Sequence, residues 1–371
     1  MRSTGIGGAE ILVKNIINSN SDDQFSHFML FANKGPVLDQ IAADRQKFLL
    51  GSGSKNRFCF VLELRKVIKS FKIQIVHCHQ PIDVLYGVFA SAGLHVKIVR
   101  TYHGFSDLKF KDLYGFSRQK VLKLFITRFV CLNLYVSKTV FNYFCTQNQD
   151  QLFSRHRLLY NGIDLMSLGK RHESITNQKF KTSENEIMLG MVGSFNSPAR
   201  DQLLICEALK PVINKLSGIK FLFIGRTGGI TNKSFDQCYR FCQENDLLGS
   251  IHFLGEMNNI YELFYQLDLY VHSSNYETFG FALIEAMACG VPCIASDIPT
   301  FREVSDDGKN VIMFQKGNAN DLSTKIEDEI SNLKSYETQE RIIRAKDYVQ
   351  RKFSIESHIK TLHSYYLECL K

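Results

Sequence analysis

Two glutamates eight residues apart, Glu277 and Glu285, are the side chains whose type and spacing carry the most chemical information. They lie in the stretch D-L-Y-V-H-S-S-N-Y-E-T-F-G-F-A-L-I-E-A-M-A-C-G-V-P-C-I-A-S-D-I-P, residues 268–299. If both were helical, they would be about 12 Å apart and roughly 80° around the axis, and so on one side of the helix. That separation suits the two ends of an extended ligand with hydroxyl groups, such as a hexose and a ribose. Outside this motif, both would be interpreted as ordinary solvated helix residues.

The same stretch predicts a strand, a polar loop and then a helix. Gly290 followed by Pro292 is typical of the C-terminus of such a helix. Backbone N–H groups at the start of the helix can hold a phosphate.

Short apolar runs alternate with longer helical patterns along the chain, which indicates βαβ units with parallel sheets. A polar stretch at Glu173–Glu186 separates two such series. We predict an α/β protein with two doubly wound, Rossmann-like domains, residues 1–183 and 184–353, and a helix at 354–371 that packs back toward the first domain. The predicted strands are His27–Phe31, Ile73–His77, Val96–Thr101, Cys131–Val136, Arg157–Tyr160, Ile187–Val192, Lys220–Ile224, Ile251–Phe253, Leu269–Val271 and Pro292–Ala295.

The cysteines and the apolar runs indicate a cytoplasmic protein. The ten cysteines form no Cys-x-x-Cys pair and no spacing typical of a zinc site or a disulfide framework. The most apolar run, Val121–Val136, is 16 residues long and contains Lys123 and Arg128. A membrane span needs about 20 mostly apolar residues, so this run is not interpreted as a membrane span.

Charge is unevenly divided along the chain. Residues 1–181 carry 26 basic and 12 acidic residues, whereas the remainder carries 19 and 25. The first half is therefore expected to face an anionic partner. No RNA-binding or helix-turn-helix signature supports nucleic acid, which leaves an anionic membrane surface or a lipid-linked acceptor. The basic stretch Lys109–Arg128 fits a membrane-surface helix and a core helix with a solvated face equally well.

The segment E-T-F-G-F-A-L-I-E-A-M-A-C-G-V-P resembles the signature of the family 4 retaining glycosyltransferases of the GT-B fold, also called glycosyl transferases group 1. Six other motifs resemble that family in the same order, so the resemblance covers nearly the whole chain. They are G-I-G-G-A-E at 5–10, H-C-H at 77–79, Y-H-G at 102–104, N-G-I-D at 161–164, V-G-S-F at 192–195 and F-L-G at 253–255.

The resemblance implies that the second domain binds a nucleotide-sugar. Glu285 would bind the ribose hydroxyls and Glu277 the hexose hydroxyls beside the anomeric carbon. Gly193 and Arg200 would flank the diphosphate. The N–H groups next to Glu277 would face the hexose; they belong to Thr278, Phe279 and Gly280.

The resemblance also implies that the first domain binds the acceptor. Gly7 and Gly8 would let the backbone approach the diphosphate and the acceptor. His103 would lie at the donor sugar and take part in catalysis with Glu277 and Arg200. His79 and Asn161 would lie near the acceptor, in the interdomain cleft.

Two departures from the family pattern matter. The family usually has Arg directly after the glycine at 193 and Lys about six residues later, where this chain has Ser194 and Arg200. We expect Arg226 to supply the second positive charge at the diphosphate. The family's glycine loop also follows a first apolar strand, whereas four residues precede Gly5 here. Because the neighbours of a missing central strand would keep unpaired backbone groups, we expect an upstream start or a poorly stable form.

The sequence therefore predicts a cytoplasmic enzyme, with peripheral attachment to the inner membrane face as an option. It would transfer a sugar from a UDP- or GDP-sugar to a hydroxyl of a glycan or lipid-linked acceptor with retention, in bacterial surface polysaccharide synthesis. The resemblance implies no metal and no cofactor beyond the nucleotide-sugar. The alternatives are a UDP-sugar 2-epimerase of the same architecture and a catalytically inactive nucleotide-sugar-binding partner.

Overall fold

The computed structural model forms two compact units. Unit 1 comprises Met1–Asp164 and Phe353–Lys371, and unit 2 comprises Leu165–Lys352. The structure describes residues 8–19, 24–31, 36–42, 46–49, 57–105, 124–126, 128–148, 153–166, 168, 180–181, 183, 185–229, 231–257 and 260–371. The predicted absence of a first strand falls on residues 1–7, which lie outside this set.

Unit 1 contains six strands in two parallel sheets among its described residues. The strands are β1 (Phe28–Phe31), β2 (Gln46–Leu49), β3 (Ile75–Cys78), β4 (Lys97–Tyr102), β5 (Val130–Tyr135) and β6 (His156–Leu158). The sheet orders are β1-β2 and β3-β4-β5-β6. Its helices are α1 (Gly8–Ser19), α2 (Pro36–Asp39), α3 (Arg57–Ser70), α4 (Pro81–Ser91) and α5 (Lys138–Asn148), and α13 (Ile355–Leu370) at the end of the chain.

Helix α13 completes the core of unit 1. Ser354 caps it by accepting a hydrogen bond from the N–H of Ser357, as expected for a serine at a helix start. Its buried face, which includes Ile355 and Leu362, packs in one cluster with Leu12 of α1 and Leu134 of β5. Burial of this apolar face stabilises the helix in its position against the sheet.

The described residues of unit 2 form one six-stranded parallel sheet in the order β12-β11-β10-β7-β8-β9. Its strands are β7 (Ile187–Val192), β8 (Ile219–Ile224), β9 (Ile251–Gly255), β10 (Leu269–His272), β11 (Cys293–Ser296) and β12 (Ile312–Phe314). Its helices are α6 (Gln202–Lys215), α7 (Lys233–Glu244), α8 (Ile260–Phe264), α9 (Phe281–Cys289), α10 (Pro299–Val304), α11 (Ala319–Asn332) and α12 (Tyr336–Phe353). Strands β10 and β11 are buried along their whole length, as expected for central parallel strands.

The ten predicted strands are present with their ends shifted by at most three residues, and two short strands, β2 and β12, were not predicted. The contact-based division at Asp164 also differs from the predicted boundary at 183. Part of the intervening stretch attaches to unit 2, because the N–H of Phe180 donates to Gln266 and Lys181 pairs with Asp268.

Within the described ranges, no helix combines the length and the apolar character that a bilayer crossing requires.

Candidate functional site

The loop between β10 and α9 positions Glu277. The helix begins only at Phe281, because Gly280 adopts a left-handed φ of 85° in front of it. A Cβ on Gly280 would lie 2.9 Å from the Phe301 ring, so this position favours glycine. Glu277 is therefore in the loop, so the separation that a shared helix would give Glu277 and Glu285 does not apply. The hydroxyl of Thr300 on α10 donates to the backbone oxygen of Glu277 at 2.7 Å and fixes the loop.

Arg200 forms an ion pair with Glu277, and both side chains are largely buried, with exposures of 18% and 11%. The guanidinium also donates from Nη1 to Ser274 Oγ at 3.1 Å. Burial lowers the pKa of Arg200 from its ordinary value. Arg200 was predicted to flank the diphosphate and Glu277 to bind the sugar. The structure brings the two side chains together at the carboxyl end of the sheet of unit 2.

Two glycines make room for this arrangement. A Cβ on Gly193, directly after β7, would lie 2.9 Å from Nε of Arg200. Gly225, directly after β8, has a φ of 141°, and a Cβ there would lie 2.5 Å from the Gly193 backbone oxygen. Side chains at either position would displace the loops that hold Arg200.

Arg226 lies beside Ser194, which occupies the position where the family pattern has an arginine. The backbone oxygen of Arg226 accepts hydrogen bonds from the N–H of Phe195 at 3.0 Å and from Ser194 Oγ at 3.3 Å. The guanidinium pairs with Glu256 at 3.0 Å and is 60% exposed. Its charge is therefore partly neutralised but remains accessible from solvent.

Glu285 lies on α9 and accepts a hydrogen bond from the hydroxyl of Tyr261 on α8 at 2.9 Å. The sequence did not single out Tyr261, because the contact joins two helices and has no local pattern. Thr278, Phe279 and Gly280 directly precede α9, so their N–H groups lie at its N-terminus. The N–H of Thr278 donates to the Glu277 carboxylate at 3.3 Å, and the Phe279 side chain is buried.

Unit 1 places three histidines at the ends of β3 and β4. His79 Nδ1 lies 2.9 Å from His103 Nε2, so these predicted residues share a hydrogen bond. His77 stacks on His79 and bonds both Thr101 and the hydroxyl of Tyr366. Burial lowers the pKa of His77 to about 3 and that of His103 to about 4, and it lowers the pKa of His79 as well. These imidazoles are therefore neutral hydrogen-bonding groups at neutral pH.

The remaining predicted residues of unit 1 are placed differently. Asn161 is buried, and its Oδ1 has no hydrogen-bond partner in the described part of the chain. Gly8 is exposed at the start of α1. Gly7 lies outside the described residues.

No group of three or more His, Cys, Asp or Glu side chains that could hold a metal occurs among the residues that the structure describes.

The fold and the site define a class. The protein has the GT-B fold, with two units of parallel sheets and helices. An Arg–Glu pair lies at the carboxyl end of the sheet of unit 2. The crystal structure of Anabaena Alr3699/HepE in complex with UDP and glucose superimposes with a TM-score of 0.77 at 17% identity, covering 99% of this chain and 97% of that one.

Sequence comparisons specify the family. Residues 6–166 match the model described as Glycosyltransferase Family 4, and residues 173–347 match the model described as Glycosyl transferases group 1. The chain belongs to the family 4 glycosyltransferases and is a glycosyltransferase.

Two relatives illustrate the range of this family. The N-acetyl-alpha-D-glucosaminyl L-malate synthase of Bacillus anthracis is 25% identical over 328 residues, which cover 83% of this chain and 78% of that protein. The UDP-Gal:alpha-D-GlcNAc-diphosphoundecaprenol alpha-1,3-galactosyltransferase of Escherichia coli is 24% identical over 366 residues, which cover 89% and 87%.

Proposed function

We propose that the protein transfers a sugar from a UDP-sugar to a hydroxyl of a glycan or lipid-linked acceptor, with retention of the anomeric configuration. The observation that carries this proposal is the Arg200–Glu277 pair at the N-terminal end of α9, with Glu285 on the same helix. The names of a relative and a structural neighbour, which include UDP-Gal and UDP, support uridine as the nucleoside of the donor.

Each group has a distinct task in this proposal. Glu285, held by Tyr261, accepts hydrogen bonds from the ribose hydroxyls. Glu277 accepts hydrogen bonds from the hydroxyls of the donor sugar. Arg200 and the N–H groups at the start of α9 stabilise the negative charge that develops on the departing diphosphate.

Retention follows in this proposal from a front-face reaction. The acceptor hydroxyl attacks the anomeric carbon from the side that the diphosphate leaves, and a donor phosphate oxygen takes its proton. No protein nucleophile is needed. The anomeric configuration of the product, read by proton NMR, tests this step, and inversion would contradict it. Transfer is also expected to persist in EDTA, because Arg200 and the helix N–H groups supply the positive charge.

A thermal-shift panel of UDP, GDP and ADP tests the donor site. A ligand at about 100 times its dissociation constant stabilises by roughly 2.7 kcal/mol, which corresponds to about 5–10 °C for a unit of the size of unit 2. We expect this shift with UDP alone and its loss in Glu285→Ala. Glu244→Ala, an exposed glutamate at the end of α7, is the matched control and should keep the shift. No shift with any nucleotide would contradict the proposal.

Transfer assays distinguish the two alternatives. A UDP-sugar 2-epimerase would convert the donor without any acceptor, and an inactive binding partner would bind UDP without turnover. We expect consumption of the UDP-sugar to depend on an added acceptor.

We also propose that unit 1 contacts an anionic membrane surface. Exposed apolar and basic side chains follow each other along α3, namely Phe58, Leu62, Lys66 and Lys69. Phe89 of α4 is exposed as well. Most of the basic stretch Lys109–Arg128 lies outside the described residues. Cosedimentation with phosphatidylglycerol vesicles, weakened in a Phe58→Ser/Leu62→Ser variant and absent with phosphatidylcholine, would support this contact.

A further inference from the structure

His272, the last residue of β10, is a fully buried imidazole beside Glu277 that the proposed reaction does not use. Its Nδ1 lies 2.7 Å from the Tyr270 hydroxyl, and its ring contacts the edge of Phe301. Its Nε2 points toward Glu277 Oε1 at a distance of 3.7 Å. This Nε2 has no hydrogen-bond partner among the described residues.

The Tyr270 contact determines the tautomer of His272. Burial raises the pKa of Tyr270 well above its ordinary value, so the hydroxyl keeps its proton. Two acceptors are near this hydroxyl, His272 Nδ1 at 2.7 Å and the Val192 backbone oxygen at 3.5 Å. If the hydroxyl donates to the shorter contact, Nε2 of the neutral imidazole carries the hydrogen and faces the Glu277 carboxylate as a donor. Burial and the charge of Arg200 lower the pKa of His272, which keeps the ring neutral.

Glu277 needs a second partner if Arg200 binds a diphosphate. In the structure Arg200 and Glu277 neutralise each other, and the carboxylate is only 11% exposed. When the guanidinium turns to the diphosphate, Glu277 keeps the Thr278 N–H on Oε2 but loses the donor on its buried Oε1, which would oppose binding. The His272 Nε2–H is already directed at this carboxylate, and a shift of less than 1 Å brings 3.7 Å to hydrogen-bond distance.

We propose that His272 is a positioning residue, whose Nε2–H donates a hydrogen bond to Glu277 Oε1 when Arg200 leaves this oxygen to bind the diphosphate of the donor. This role rests on the proposed function, because it requires Arg200 to bind that diphosphate. It keeps Glu277 oriented toward the sugar hydroxyls, although His272 contacts no substrate itself.

A double-mutant cycle tests this role through the affinity for UDP, measured by calorimetry on the full chain. His272→Leu should weaken UDP binding about tenfold, the usual effect of losing one hydrogen bond to a charged group. Glu277→Gln should bind UDP at least as well as the wild type, because no ion pair has to separate. In the Glu277→Gln background, His272→Leu should have no effect.

Two more variants keep the test informative if His272→Leu folds poorly. Tyr270→Phe removes only the hydroxyl that fixes the tautomer, and it should weaken UDP binding severalfold in the wild-type background and not in Glu277→Gln. His272→Gln retains an N–H donor and should recover most of the affinity. Equal losses in both backgrounds would mean that His272 only packs the core, and would overturn the proposal. Wild-type protein that binds no UDP would contradict the proposed function itself, and the role of His272 with it.

Discussion

The two units bury polar groups at the ends of their strands in opposite ways. Unit 1 uses neutral imidazoles that bond each other and nearby hydroxyls, as with His79 and His103. Unit 2 uses mainly opposite charges, the Arg200–Glu277 pair, with the neutral imidazole of His272 beside it. Burying neutral groups costs little free energy. The folded state loses stability in acid, however, because the unfolded chain binds protons that the buried groups do not bind. A buried ion pair keeps its charges available for an anionic ligand. The difference indicates that unit 1 is sensitive to pH and unit 2 to the presence of a diphosphate.

The largest expected effect is acid destabilisation of unit 1. His358 lies buried on α13, with Nδ1 2.6 Å from the backbone oxygen of Tyr160. His77, His103 and His358 have folded pKa values of about 3, 4 and 4, below the ordinary value of 6.5. Between pH 7 and 5 the unfolded chain binds protons that the folded unit does not, so stability falls as pH falls. The loss is about 2 kcal/mol for each of these histidines. Hydrogen exchange, corrected for intrinsic rates, should show lower protection of β3 and β4 at pH 5.

His358→Gln is the control for this prediction. The glutamine does not titrate, so the variant should lose about 2 kcal/mol less than the wild type over the same pH range. The β10–β11 peptides, with His272 as their buried imidazole, should lose less protection in acid than the β3–β4 peptides, and an equal loss would remove the contrast between the units.

The next largest effect concerns the charge of Arg200. Arg200→Ala should lower kcat by about 10²- to 10³-fold, as expected for loss of one preorganised group at a developing negative charge. Arg200→Lys keeps a cation and should retain part of the rate.

We expect Arg226→Ala to slow turnover about as much as Arg200→Ala. Steady-state rates of the two variants measure this effect. Glu256→Gln is the control, because it removes the ion-pair partner of Arg226 and keeps the arginine. A normal rate in Arg226→Ala would show that Arg226 does not replace the positive charge that the family has at position 194.

The smallest expected effect sharpens the role of α8. Tyr261→Phe removes one hydrogen bond to Glu285 and should weaken UDP binding by about 0.5–1.5 kcal/mol, or roughly two- to tenfold. Calorimetry measures this change. An effect as large as that of Glu285→Ala would mean that Tyr261 contacts the nucleotide directly.

The sequence predicted what depends on local pattern. Ten of the twelve described strands follow from apolar runs, and the end of α9 at Gly290, with its left-handed φ of 78°, follows from glycine placement. The start of α9 was not predictable, because Gly280 is held against Phe301, a residue on another helix. Tyr261 and His272 were missed for the same reason: each becomes informative only when the sheet brings it to a glutamate. Strand β12 was missed because three residues carry too little periodicity.

The return of α13 to unit 1 determines the order in which the chain can mature during its synthesis. Unit 2 is one continuous stretch, whereas unit 1 lacks the partner of Leu12 and Leu134 until residues 355–370 have been made. The second-made unit can therefore complete its core first, contrary to the usual order of domains on the ribosome. A stop codon after Lys352 would accordingly leave unit 2 whole and damage unit 1, most of which precedes unit 2 in the chain.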